Sequence, residues 1–89
     1  MPNVLVLTKE GCLPCIRIKR IMNDLRGEIS GLEVDEVDFS SPEGMKLAIE
    51  HQVLYPPAVF VNGQVFKGKI REDELKGAVR SSVAADARG

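Results

Sequence analysis

Val4-Leu5-Val6-Leu7-Thr8-Lys9-Glu10-Gly11-Cys12-Leu13-Pro14-Cys15 is the stretch that decides how this chain folds. Residues 3–8 are a run of β-branched residues and leucine, bounded by Pro2 and by Lys9-Glu10-Gly11, and read as a buried strand. Beyond it the apolar positions are Ile16, Ile18, Ile21, Met22, Leu25 and Ile29, mostly at 3.6-residue spacing, which predicts a helix over 13–28. Pro14 fits the first turn of that helix, where a missing N–H costs nothing, and Gly27 and Gly31 bracket its end. Cys12 and Cys15, the two cysteines of the chain, therefore stand at a strand-to-helix junction. At i, i+3 around a helix start they share a face, with Cα atoms about 5–6 Å apart, a gap that a disulfide can span.

A CxxC in that setting reads first as a redox pair. The bland alternatives are two small buried hydrophobes or half of a zinc site. Zinc needs four ligands, and beyond the cysteines only His51 is a strong candidate.

Working outward, Leu32-Glu33-Val34-Asp35-Glu36-Val37-Asp38-Phe39 mixes apolar and acidic residues and predicts a strand with one wet face, at a sheet edge. Ser40-Ser41-Pro42-Glu43 is a helix start: a serine cap, proline at the first position, and Glu43 three after Ser40. Met45, Ala48, Ile49 and Gln52 form one face of the short helix that follows, and His51 reads as a surface or capping residue near its end. Pro56-Pro57 stops the helix and opens the strand Ala58-Val59-Phe60-Val61, apolar on both faces as for a central strand. Asn62-Gly63 signals a hairpin, with Gln64-Val65-Phe66-Lys67 as the return strand. Arg71-Glu72-Asp73-Glu74 opens a last helix whose buried face is Leu75, Ala78, Val79 and Val83. Residues 1–83 make the domain, and 84–89 read as a flexible C-terminal tail. The order β-α-β-α-β-β-α predicts an α/β fold. One four-stranded mixed sheet with helices on both faces would bury every apolar stripe named here.

With 89 residues there is room for one domain, and 44% hydrophobic with 28% charged residues fits a globular protein. A net charge of −1 argues against nucleic acid as partner, since phosphate binding wants a basic excess. No apolar run approaches the ~18 residues of a membrane span. Met1-Pro2-Asn3 does not begin a secretory leader, so we expect a cytoplasmic protein with no membrane partner. In that compartment a cysteine pair is more often catalytic or metal-binding than structural.

The element order, with Cys12-Leu13-Pro14-Cys15 after the first strand and Pro56-Pro57-Ala58-Val59-Phe60-Val61-Asn62-Gly63 downstream, resembles the thioredoxin/glutaredoxin superfamily in its small, glutaredoxin-sized form. The resemblance covers residues 3–83 and implies a thioredoxin-like fold with a cis-proline at Pro57, lying against the cysteines. It also implies a dithiol thiol–disulfide oxidoreductase acting on protein disulfides. Cys12 would be the nucleophile at the helix cap and Cys15 the more buried resolving thiol. Lys9, Leu13, Pro14, Tyr55, Pro56 and Pro57 would meet substrate. Pro14 is thioredoxin-like, whereas Lys9 is similar to a glutaredoxin lysine that contacts glutathione. The chain departs from both branches: Gly11 stands where thioredoxins carry tryptophan, and Gly68-Lys69-Ile70-Arg71-Glu72-Asp73 replaces the glutaredoxin Gly-Gly-Asp that holds glutathione.

The resemblance implies no cofactor or metal beyond the Cys12–Cys15 couple. Partners would be substrate proteins and a reductase or low-molecular-weight thiol, and the chain would be a monomer. Two alternatives stand beside this reading. One is a glutathione-dependent glutaredoxin or glutathione-ligated iron–sulfur carrier. The other is a non-catalytic binding module using the groove beside Pro57.

Overall fold

The computed structural model describes residues 4–88; residues 1–3, including Asn3 of the expected first strand and the expected leaderless start, and Gly89 lie outside the described residues. Its elements are β1 (Val4–Thr8), α1 (Leu13–Glu28), β2 (Val34–Asp38), α2 (Pro42–Glu50), β3 (Ala58–Val61), β4 (Gln64–Lys67) and α3 (Glu72–Arg88). One four-stranded mixed sheet runs in the order β2-β1-β3-β4. β1 pairs parallel with β2 and antiparallel with β3, and β3 pairs antiparallel with β4. The two most apolar strands, β1 and β3, are thus the sheet's inner strands, where both faces are covered. The acidic β2 is an edge, with Asp35, Glu36 and Asp38 exposed and Val37 turned inward.

Alternation along β1 divides the core in two. Val4 and Val6 point to the face packed by Ile18, Ile21, Met22 and Leu25 of α1 and by Leu75 and Val79 of α3. Leu7 points the other way, to a smaller cluster with Val37, Ala48, Val53 and Ala58 under α2. Asn62 and Gly63 both adopt positive φ (45° and 85°), the geometry of the two-residue turn that matches strand twist.

The structure departs from or sharpens the sequence expectations at several points. Not every apolar stripe is buried: Ile16, Met45 and Ile49 are exposed. Ile16 lies roughly 160° around α1 from Ile18 at ~100° per residue, so it cannot share the sheet-facing side. In the nine-residue α2, Gly44 and Ala48 are buried and Leu47 packs half-buried against the same cluster, while Met45 and Ile49 are on the solvent side. Of the two serines that open α2, Ser41 is the cap: its Oγ accepts from Gly44 N at 3.0 Å, while Ser40 N donates to Asp38 Oδ1. In α3 the third buried position is Ser82, with Val83 only half-buried. Residues 84–88, read as a tail, carry on the helical backbone of α3; three alanines and no helix breaker before Gly89 favour that continuation.

Candidate functional site

The β1–α1 junction assembles the site. Cys12 N donates to Lys9 O at 3.2 Å, closing a tight turn in which Gly11 takes a φ of +80°. That turn places Cys12 at the N-cap of α1, with Leu13 and Pro14 filling the first helical positions. Cys12 and Cys15 are joined in a disulfide with Cα atoms 5.2 Å apart. Cys12 Sγ also accepts the amide N–H of Cys15 at 3.2 Å, so the cap sulfur satisfies one of the orphan donors of the helix start. The two sulfurs differ in access: Cys12 is half-buried, and Cys15 is 1% exposed. The helix end that carries them presents partial positive charge, which favours an anionic sulfur at the cap.

The second wall comes from the α2–β3 connection. α2 ends at His51, the C-cap, which also stacks edge-on against Phe60. Gln52 adopts φ +56°, and the pair Gln52 N→Ile49 O and Val53 N→Ala48 O reverses the chain in a Schellman turn. Lys67 Nζ donates to the carbonyls of His51 and Gln52, fastening the reversal to β4. The chain then runs through Leu54 and Tyr55, both exposed, to a cis peptide bond between Pro56 and Pro57. Pro57 is buried at the start of β3, and the carbonyl oxygen of Pro56 lies 3.9 Å from Cys12 Sγ. The structure therefore brings Cys12, Cys15, Pro56 and Pro57 together, 44 residues apart in the chain.

Leu13, Pro14 and Tyr55 stand exposed around this centre, and Lys9 is exposed in the loop that feeds it. The other nearby cations are engaged elsewhere. Arg17 Nη1 donates to Ile70 O at 2.9 Å, pinning α1 to the segment before α3; Lys19 pairs with Glu36; and Arg20 bridges Asp24 and Glu72. Among the described residues no group of three or more metal-ligating side chains comes together. An apolar groove of about 370 Å³ over α2, lined by Phe39, Met45, Ile49 and Leu54 among others, contains neither cysteine.

Sequence reasoning passed over two positions. Thr8, the last residue of β1, has a buried Oγ1 with no hydrogen-bond partner among the described residues. The signal was there to read, a hydroxyl closing an otherwise aliphatic strand. The Arg17–Ile70 anchor had no sequence signal, because it joins an exposed helical arginine to a backbone carbonyl far along the chain.

No family description and no curated protein matches this sequence. Solved structures do match. A thioredoxin-like protein from Clostridium perfringens superposes with a TM-score of 0.71 at 15% identity, over 91% of this chain and 70% of that one. The thioredoxin-like protein BC3987 gives 0.67 at 19% identity, over 84% of this chain and 97% of that one. A thioredoxin mutant from Halobacterium salinarum NRC-1 gives 0.64 at 24% identity, over 91% of this chain and 75% of that one. The fold is thioredoxin-like, as the resemblance implied.

Proposed function

We propose that this chain is a dithiol thiol–disulfide oxidoreductase that reduces protein disulfides in the cytoplasm. The observation that carries the reading is the asymmetry of the pair: a reachable sulfur at a helix N-cap, bonded to one that solvent does not reach. In the reduced protein, the Cys12 thiolate is stabilised by the helix end and by the Cys15 N–H, which is how such sites depress the attacking thiol's pKa. It attacks a substrate disulfide to form a mixed disulfide. Cys15 then displaces the substrate thiol by attacking Cys12, which restores the internal bond. A reductase or low-molecular-weight thiol supplies the electrons for the next cycle. The working group is the cysteine couple itself, with no further cofactor, and the monomer suffices.

The exposed side chains of Leu13, Pro14 and Tyr55 around the disulfide support a protein substrate over a small molecule, which favours an enclosed cleft. An extended substrate segment would lie between Leu13-Pro14 and Tyr55-Pro56-Pro57, where the chain before β3 exposes backbone for strand-like pairing. Lys9 would steer acidic groups toward the same place. The test is turnover of a protein disulfide with dithiothreitol as electron donor. Cys15→Ser should trap a mixed disulfide on Cys12. Recovery of the trapped substrate on Cys15 in Cys12→Ser instead would reverse the assignment.

A further inference from the structure

Lys19 and Lys76 pair with carboxylates, as surface lysines commonly do. Lys67, the last residue of β4, reaches backbone: its ammonium donates to His51 O at 2.9 Å and Gln52 O at 3.1 Å. Both carbonyls lie at the C-terminal end of α2, where the peptide dipoles leave partial negative charge. The reversal itself satisfies three carbonyls of the helix: Leu47 O, Ala48 O and Ile49 O accept from His51 N, Val53 N and Gln52 N. Lys67 takes two beyond it. Gln52 holds φ +56°, a left-handed conformation that a residue with a side chain keeps only when its surroundings fix it there. The same lysine also meets the far end of the loop. In the β3–β4 ladder Lys67 is the register partner of Ala58, the residue after Pro57. One residue therefore fastens both ends of the segment 53–57, by its ammonium at one end and its backbone at the other. Between them Tyr55 leans back over Gly68, where an added Cβ would lie 3.9 Å from the Tyr55 hydroxyl. Gln52, Leu54, Tyr55, Lys67 and Gly68 line a single depression of about 350 Å³. The fastened segment carries the Pro56 carbonyl that stands 3.9 Å from Cys12 Sγ.

We propose that Lys67 is a positioning residue for substrate binding: it holds the backbone of Tyr55 and Pro56 in the shape with which an extended segment of a substrate protein pairs. The proposal rests on the oxidoreductase reading and specifies how the substrate face is kept ready. Lys67 acts through the 53–57 loop and not on either sulfur. A short loop pinned at both ends loses little freedom when a partner strand docks. Without the ammonium, the docking segment must order the loop first, and apparent affinity falls by the fraction of time that the loop is in place. A small disulfide meets Cys12 without laying a strand along the loop, so it is indifferent to that fraction. The exchange chemistry at the sulfurs is indifferent to it as well.

The experiment compares the parent protein with Lys67→Met, which keeps an unbranched stem and loses the ammonium, and with Lys67→Arg, which keeps a cation with donors for both carbonyls. Dithiothreitol is the electron donor, and insulin and hydroxyethyl disulfide are the two substrates. Lys67→Met should raise KM for insulin about fivefold with kcat nearly unchanged, and should leave reduction of hydroxyethyl disulfide near the parent rate. Lys67→Arg should restore most of the loss. Hydrogen exchange reads the fastening without any substrate: the Gln52 and Val53 amides should exchange about fivefold faster in Lys67→Met and slow again in Lys67→Arg. Ser41→Ala weakens α2 at its other end and controls for general destabilisation; its insulin KM should stay at the parent value. An unmoved insulin KM in Lys67→Met, an equal loss with both substrates, an arginine variant no better than the methionine one, or a Ser41→Ala protein with the same rise in KM overturns the role of Lys67. Faster amide exchange in Lys67→Met with no turnover even by the parent would overturn the oxidoreductase reading, so the two failures are distinct.

Discussion

The starts of α1 and α2 are built alike and end up doing different things. Each helix follows one of the two parallel strands, and each carries a proline in its first turn: Pro14 in one, Pro42 in the other. In each, the cap side chain accepts the N–H of the residue three further on. Cys12 Sγ takes Cys15 N at 3.2 Å, and Ser41 Oγ takes Gly44 N at 3.0 Å. The third residue is buried in both. What separates them is the cap atom and its surroundings. At α1 a sulfur meets a second sulfur and the Pro56 carbonyl; at α2 an oxygen is tied back to Asp38 O at 2.7 Å, with a glycine beneath it. The lesson is that the helix start supplies the electrostatics in both places, and chemistry appears only where the cap is a nucleophile with a partner in reach.

The sharpest break in the comparison is to exchange the roles of the caps. Cys12→Ser makes α1 start as α2 does. Turnover of protein disulfides should fall by more than about a thousandfold, while the reduced protein unfolds at nearly the same urea concentration. Substantial residual turnover would mean that the cap sulfur is not the nucleophile. Gly44→Ala probes the third position of α2. Its Cβ would run into the Asp38 carbonyl, so the substitution should cost at least about 1–3 kcal/mol in urea unfolding and leave the thiol chemistry of any folded protein unchanged. Ser41→Ala removes only the oxygen cap and should cost about 1 kcal/mol with turnover intact, the mirror image of Cys12→Ser.

The smallest effect concerns what holds α1 in place. Arg20 bridges to Glu72 and Arg80 to Glu28, tying α1 to α3. The Arg20 hydrogen bond, with help from Lys76, holds the Glu72 carboxyl below its ordinary value of 4.5, and Arg80 does the same for Glu28. A depressed carboxylate contributes stability that is present above its unfolded value and lost as pH falls through the folded one. The urea midpoint should therefore drop slightly on acidification below pH 4.5. High salt should blunt the drop, since all four groups are exposed.

Much of this was legible along the chain. The motif at the end of β1, the proline-led β3 and the Asn62-Gly63 turn each carry a local signal that tertiary contacts have no reason to override. Which of Ser40 and Ser41 caps α2 was left open because either serine suits a capping position, and the choice rests on which oxygen faces Gly44 N. Met45 and Ile49 were read as inward because their spacing puts them on one helical face with Ala48. A glycine at residue 44 instead lets the helix approach through its first turn, against the Asp38 and Phe39 backbone, leaving those side chains outside.

The sequence by itself determined the element order, the strand-to-helix placement of the two sulfurs and which strands are inner, because hydrophobic periodicity and turn chemistry act over a few residues. Only the tertiary structure decided that Pro56 closes over Cys12 and that Arg17 is held by Ile70 O. Those facts depend on where segments distant in the chain meet across the sheet, and no local pattern encodes such a meeting.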